Sequence, residues 1–375
     1  MSDSRYDLWP ATMARLLLAA LLALVAAAAL VPLRSAEGEV RPPSLTGAAP
    51  ARERDEDLAL YDAVIARMRH GEGYYAVIAP EHRLHRYPLR PGFAVRLPTL
   101  AWVEAHLPPK APIVLSVLLM GAVLLAWWRR LDTEPGAAPL RIMAMAMLFV
   151  GVSIGTTRYF FVLHELWAGQ LLALAFGLHR PERGKWRGAW LAAAAALAIR
   201  EHALPFVLLM AAYAGWHRRW REAAAWGLLA ALFCVALAVH LHIVAGLLRP
   251  GDPPSASWLA LRGLGGWLSM VTLSSNLRWL PHWLGGPLVV LALFGWSAWR
   301  SPAGSFGAML YAGYGALFMI AGRNDNYYWG MMVAPALLMG LAFVPTGLRG
   351  LWRADGGHRR GAPTNAVVSA PVAVQ

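Results

Sequence analysis

The sequence predicts an all-α, polytopic membrane protein of about ten transmembrane helices, with one large outward loop between the first two. Three observations carry this expectation. Only 15% of the 375 residues are charged and 58% are hydrophobic, whereas soluble domains carry about 25% charged residues. The depletion is concentrated in blocks such as Leu16–Leu33, Ile113–Trp128 and Ala223–Val239, each near the ~18–20 apolar residues that cross a bilayer. The remaining cations then sort by side. This composition, with a mean hydropathy of +0.45, excludes disorder, secreted scaffolds and soluble enzymes.

The elements follow in order. Met1–Arg15 is basic and leads into Leu16–Leu33, too long for a signal-peptide core of about 7–15 residues, so it is predicted to be an uncleaved anchor. Arg34–Ala111 is the outward loop. Further spans are predicted at Pro112–Trp128, Ile142–Thr157, Tyr159–Leu178, Ala189–Ile199, Ala203–Trp216, Ala223–Leu248, Trp283–Trp299, Ala303–Ala321 and Gly330–Leu348. Four regions result: 1–33, 34–111, the bundle 112–348, and a cytoplasmic tail 349–375 whose last residues, Gly361–Gln375, lack periodicity and read as disordered. With the N-terminus inside, the short inner connections hold eleven Lys and Arg residues and the short outer ones three, Arg158, Arg200 and Arg323. The positive-inside rule then expects both termini to be cytoplasmic. Lys+Arg exceed Asp+Glu by 34 to 21, yet no basic block stands apart from the apolar segments, so nucleic acid is not the expected partner. Cys234, inside an apolar segment, is expected to be a buried, inert thiol.

Ala189–Trp216 is interrupted by Arg200-Glu201-His202. A single helix would place the flanking basic clusters on opposite sides, so a hairpin is expected. Eleven residues at 1.5 Å each reach about 16 Å, roughly half of the ~30 Å hydrocarbon core. The three polar residues therefore sit at depth, where ionisable groups mark function or, alternatively, an Arg–Glu pair that only pins the hairpin. Gly251–Pro281, rich in Trp and Leu but broken by Arg262 and glycines, is expected to lie as an interfacial helix on the outer leaflet.

In the outward loop, Arg34–Glu56 reads as a flexible lead-in. Leu58, Tyr61, Ile65 and Met68 recur at helical spacing, predicting an amphipathic helix over Asp57–His70 with Asp57 at its N-cap. Gly71-Glu72-Gly73-Tyr74-Tyr75 follows, then Tyr87-Pro88-Leu89-Arg90-Pro91 and Arg96-Leu97-Pro98-Thr99-Leu100-Ala101-Trp102. Gly71-Glu72-Gly73 follows a helix rather than a strand, so it is no dinucleotide fingerprint.

This arrangement resembles the GT-C superfamily of membrane glycosyltransferases, closest in pattern to the protein mannosyltransferase and lipid A aminoarabinose transferase branches. The matching positions are Asp57, Tyr61, Gly71 and Pro88/Pro91, over about 50 residues. The family often has Glu directly after the Asp. Here Leu58 follows, and Asp55 and Glu56 precede, which leaves open whether Asp57 or Asp55 is the active acid. The resemblance implies a polyprenyl-phosphate-linked sugar donor, a glycan, lipid or protein acceptor, surrounding membrane lipid, and a site at the outer leaflet. Attack by an acceptor hydroxyl needs a carboxylate to take its proton, and a departing lipid phosphate needs cationic donors, for which the planar Arg fork is suited.

The catalytic candidates are therefore Asp57, Asp55 and Glu56. Candidates for holding donor phosphate or sugar come from the other outward connections: Arg158, His164, Glu165, Arg200, Glu201, His202, Arg323, Asp325, Asn326 and Tyr327. Each has a plainer alternative. Asp57 can simply cap its helix, Arg323 and Asp325 can pair across a turn, and Tyr327-Tyr328-Trp329 can be an interfacial aromatic belt. His164 and Glu165 are adjacent, about 100° apart on a helix, and no second ligand spacing accompanies them, so no cofactor is expected and a divalent metal lacks support. A transporter or flippase gated at Arg200–Glu201 is the alternative function. The sequence, however, has one broken segment and no repeated halves, unlike many transporters.

Overall fold

The computed structural model describes residues 4–35, 38–39 and 56–356; the side chains of 34, 35, 38, 39, 56 and 57 lie outside that description. Among the described residues the regular structure is helical apart from a two-residue antiparallel ladder, β1 (Arg34–Ser35) with β2 (Gly38–Glu39). The ladder follows α1 (Ala11–Leu30). The chain before the bundle then folds into α2 (Glu56–Arg69), α3 (Tyr74–Leu84) and α4 (Thr99–His106). The bundle comprises α5 (Ala111–Leu131), α6 (Arg141–Val152), α7 (His164–Leu178), α8 (Arg187–Ile199), α9 (Leu204–Trp216), α10 (Trp220–Leu247), α11 (Gly263–Leu273), α12 (His282–Ala298), α13 (Pro302–Ile320), α14 (Ala334–Leu337) and α15 (Val344–Asp355). Tighter 3-10 turns extend α6 at both ends and occupy Asn324–Met332 and Leu338–Phe343 around α14.

Six stretches among the described residues are long and apolar enough to cross a membrane: Ala11–Leu30, Ala111–Leu131, Ala138–Thr156, Trp220–Leu247, Pro302–Ile320 and Ala334–Asp355. Their surfaces are apolar where soluble helices are polar: Leu118 is 63%, Ile142 78% and Val235 64% exposed. Extended apolar surface of this kind is unstable in water, and helices satisfy their own backbone groups in lipid, so the fold is that of a membrane protein. The other expected spans, α7, α8, α9 and α12, are helical but only 13–17 residues long.

Contacts sort the connections into two ends. At one end the N-terminal segment docks on the α12–α13 junction, with Arg5 N–H donating to the Ala298 carbonyl (3.0 Å) and Arg15 paired with Asp355, the last residue of α15. There Trp299 Nε1 donates to the Pro135 carbonyl (2.8 Å), and His179 meets Glu222 (2.6 Å), which Arg219 also approaches. At the other end lie the α2–α4 layer, the α8–α9 tip, and residues 249–262 and 321–333. The α8–α9 segment is thus a hairpin. Trp190 Nε1 donates to the Ala225 carbonyl and Tyr213 Oη to that of Pro302, returning both arms to the first end.

Three expectations need correction. Gly266–Leu273 of α11 are all buried, so this helix packs inside the protein against α12, α13 and 324–332 rather than floating on a leaflet. Its glycines allow that approach: a Cβ on Gly266 would press on the Phe318 carbonyl. Cys234 is exposed on α10, not buried. Asp57 falls in the first turn of α2 rather than before it, since the helix runs from Glu56. The last expected span, Gly330–Leu348, overlaps the spanning stretch Ala334–Asp355, which alternates 3-10 and α-helical turns. The lead-in at 36–37 and 40–55 and the tail 357–375 lie outside the described residues.

Candidate functional site

A cavity of about 310 Å³ opens at the end where α2–α4 pack. It is built from four segments far apart in sequence. The segment between α1 and α5 supplies Tyr61, His82, Tyr87 and Arg96, the hairpin tip Arg200, Glu201 and His202, the 249–262 strap Ser255 and Trp258, and the 323–329 turn Arg323, Asp325, Asn326, Tyr328 and Trp329.

Arg96 sits in an extended stretch whose carbonyls have no helical partners, and buried carbonyls must find some. Three side chains from three helices supply them. His240 of α10 donates Nε2–H to the Val95 carbonyl (3.2 Å), Tyr74 of α3 donates to that of Arg96 (2.5 Å), and His164 of α7 donates to that of Leu97 (3.3 Å). The guanidinium so placed is 8% exposed. Its Nε donates to Tyr61 Oη (3.0 Å), one Nη to Tyr328 Oη (3.1 Å), and the other meets Glu165 (3.1 Å). Burial opposes the charge on Arg96, but Glu165, Tyr61 and Tyr328 outweigh it and hold the group above the ordinary arginine value.

Glu165 has no exposed surface. The same oxygen that meets Arg96 meets Arg200 Nε at 2.8 Å, and Arg200 Nη1 reaches Glu201 at 2.5 Å. One buried carboxylate therefore holds together two arginines from separate parts of the chain, with Glu201 forming the cavity-facing end. The His202 ring packs tilted against Trp329 (ring centroids 4.3 Å apart, planes at 48°), and its carbonyl accepts from Tyr314 Oη (2.7 Å). Arg323 is bidentate on Asp325 and also donates to Ser255 Oγ and the Ala256 carbonyl. Asn326 Oδ1 caps the Arg323 N–H, and its Nδ2 donates to Tyr328 Oη.

The strap over the cavity is pinned on both sides. Arg83 grips buried Asp252 with two bonds of 2.7 and 2.8 Å, and Ser255 N–H donates to the Arg90 carbonyl. Those bonds, with the Arg249 N–H, lower the Asp252 carboxyl to about 2. On the far side Gly322 N–H donates to the Trp258 carbonyl, and Ala260 and Arg262 N–H donate to those of Ile320 and Met319. Gly322 has φ +94°, a backbone that only glycine adopts without strain.

Of the expected residues, Arg200, Glu201, His202, Arg323, Asp325 and Asn326 do converge. His164 and Glu165 stand behind the wall: His164 packs edge-on to Tyr61 (5.6 Å) and Glu165 holds the arginines. Arg158 is exposed and away from the cavity, because its 3-10 turn presents Phe160 inward instead. Tyr327 also misses the cavity, and its neighbour Tyr328 lines it. Asp55 lies outside the described residues, as do the side chains of Glu56 and Asp57. The backbone of Asp57 is one helical turn before Tyr61. Arg96 and His82 carry no role in the sequence expectations, although Arg96 is a lone cation in an apolar run, the signal that marked Arg200, and Tyr328 figures there only in the aromatic belt. Among the described residues no group of three or more potential metal ligands converges.

Comparison with protein family models, with curated proteins and with solved structures found no match.

Proposed function

We propose that the protein is a GT-C-type glycosyltransferase. It would move a sugar from a polyprenyl-phosphate donor to a glycan, lipid or protein acceptor at the outer face of a bacterial inner membrane. The observation that carries this is the pair Arg96–Arg200, held rigid by buried Glu165 on the wall of a cavity also lined by Tyr61, Tyr87, Trp258 and Trp329. Preorganised arginine donors suit a phosphate whose negative charge grows as it leaves, and aromatic faces suit a sugar ring. The gathering of the termini and the basic connections at the opposite end supports a cytoplasmic position for both termini. The short helices α7, α8, α9 and α12 run between the two ends and support ten crossings. The bond to the acceptor oxygen forms at the anomeric carbon as the bond to the phosphate oxygen breaks. The electron pair goes to the phosphate, under Arg200 and Arg96, and the acceptor proton goes to a carboxylate. Asp57, one turn from Tyr61 on α2, is that base.

The test is transfer by purified protein in lipid from a lipid-linked sugar recovered from a deletion strain. Accumulation of such an unused lipid in that strain would itself name the donor. Asp57→Asn is expected to lower kcat about 10²–10⁴-fold with insertion and Tm kept, and the wild-type product to have inverted anomeric configuration by NMR. Retained transfer by the variant would move the base to Asp55, Glu56 or Glu201. Retention of configuration would overturn direct displacement, and an intact transfer reaction in the deletion strain would point to a carrier instead.

A further inference from the structure

One lining residue is left over by the phosphate chemistry. His82 of α3 is 1% exposed and forms part of the cavity wall. Its Nδ1 is within 3.0 Å of the Pro88 carbonyl. A carbonyl only accepts, so the proton is on Nδ1 and Nε2 is a bare lone pair. That Nε2 is buried and has no hydrogen-bond partner in the protein. Across the same cavity, Trp329 Nε1–H is likewise buried without a partner. Burial drives the His82 ring to a pKa of about 4, with Arg96 adding to the effect against the Pro88 bond, so Nε2 stays an acceptor at neutral pH. Buried polar groups nearly always have partners, and an unsatisfied one in a cavity wall calls for an explanation.

The geometry points to His82 Nε2 as a specificity-determining acceptor for a hydroxyl of the sugar, with Trp329 Nε1–H donating to the same ring. This rests on the phosphate-and-sugar reading of the cavity and identifies what the uncharged part of the ligand must offer. A phosphate oxygen satisfies Trp329 but has no hydrogen for His82. An ammonium group has one but is repelled by Arg96, close enough to shift the His82 ring, while the cavity's carboxylates, Glu201 and Asp325, are already paired with Arg200 and Arg323. A neutral hydroxyl both donates and accepts, and it serves the two groups together. The site therefore favours a neutral sugar over an amino sugar at this position.

Binding to the full-length protein in detergent tests this, with inorganic phosphate and the 1-phosphates of mannose, glucose, galactose, arabinose and a 4-amino-4-deoxy pentose as probes. One neutral sugar phosphate is expected to bind at least 10-fold tighter than phosphate, and Arg200→Ala is expected to lose both. His82→Phe, which keeps the ring volume, is expected to erase most of the sugar-dependent gain while leaving phosphate binding within twofold. His82→Gln, which keeps a distal acceptor, is expected to restore part of it. Retained phosphate binding shows that the variant is folded. If His82→Phe keeps the full gain, or the amino sugar binds best, the assignment of His82 is wrong while the phosphate site stands. If no probe binds in an Arg200-dependent way, the phosphate-and-sugar reading fails, and this inference with it.

Discussion

Glu165→Gln is the sharpest probe of how the cavity is held. The carboxylate is fully buried and meets Arg200 at 2.8 Å and Arg96 at 3.1 Å. At an effective dielectric constant near 20, a unit pair at about 4 Å is worth about 4 kcal/mol before desolvation. Removing one member of a buried pair costs roughly 3–5 kcal/mol, because it leaves uncompensated charge. Glu201 still holds Arg200 at 2.5 Å, whereas Arg96 retains only the Tyr61 and Tyr328 hydroxyls. The expected loss is therefore at the lower end, about 3 kcal/mol. Thermal unfolding in detergent, followed by the fluorescence of the 18 tryptophans and by calorimetry, gives the loss. A double-mutant cycle with Arg96→Gln separates the pair from general damage. Groups in direct contact couple by about 0.5–3 kcal/mol, so the double variant should be more stable than the two single losses predict by at least about 1.5 kcal/mol. Additivity within about 0.5 kcal/mol, or a Glu165→Gln protein as stable as wild type, would refute the clamp.

Two further outcomes are expected besides the Asp57 and His82 experiments. The Asp252 carboxyl is lowered to about 2 by Arg83 and the Arg249 N–H from an ordinary 3.8. The stabilisation of the strap is thus complete above about pH 4 and is lost as pH falls through about 2. Amide exchange at Arg249 and Ser255, corrected for intrinsic rates, should show protection that declines only in that window. Asp252→Asn should show the low protection already at pH 7, and full protection in that variant would count against the pinning. Gly169 of α7 faces the Met331 carbonyl so closely that a Cβ would collide with backbone. Gly169→Ala should cost about 1–3 kcal/mol and weaken binding by displacing the 324–332 turn. Gly188→Ala, where the nearest atom is a Leu178 methyl at 3.5 Å, should stay within about 0.5 kcal/mol; equal effects would sink the argument.

The parts of the site readable in sequence were lone charges inside apolar runs. Arg200-Glu201-His202 and the Arg323–Asn326 turn stood out because an ionised group at depth is costly and must find a partner or a cavity. The partners themselves were not readable. Glu165 and Arg200 are neighbours only because α7 packs along α8, and Arg96 joins them through a backbone held by His240, Tyr74 and His164. The choice of Tyr328 over Tyr327, and the exclusion of Arg158, turn on helical phase: one residue in a 3-10 turn rotates the side chain by about 120°.

By itself the sequence determined the helical class, the apolar segments, the break at Arg200–His202 and the sorting of basic connections to one end. Each follows from composition and local period, since apolar runs form helices that satisfy their own backbone groups and charged clusters mark the breaks and connections between them. Only the tertiary structure decided that α11 is buried, that Glu165 faces two arginines rather than a ligand, and that His82 and Trp329 line the same cavity with unsatisfied nitrogens. Those facts depend on contacts between residues up to some 250 positions apart. Such contacts are set by how the helices pack against one another, which no local pattern in the chain encodes.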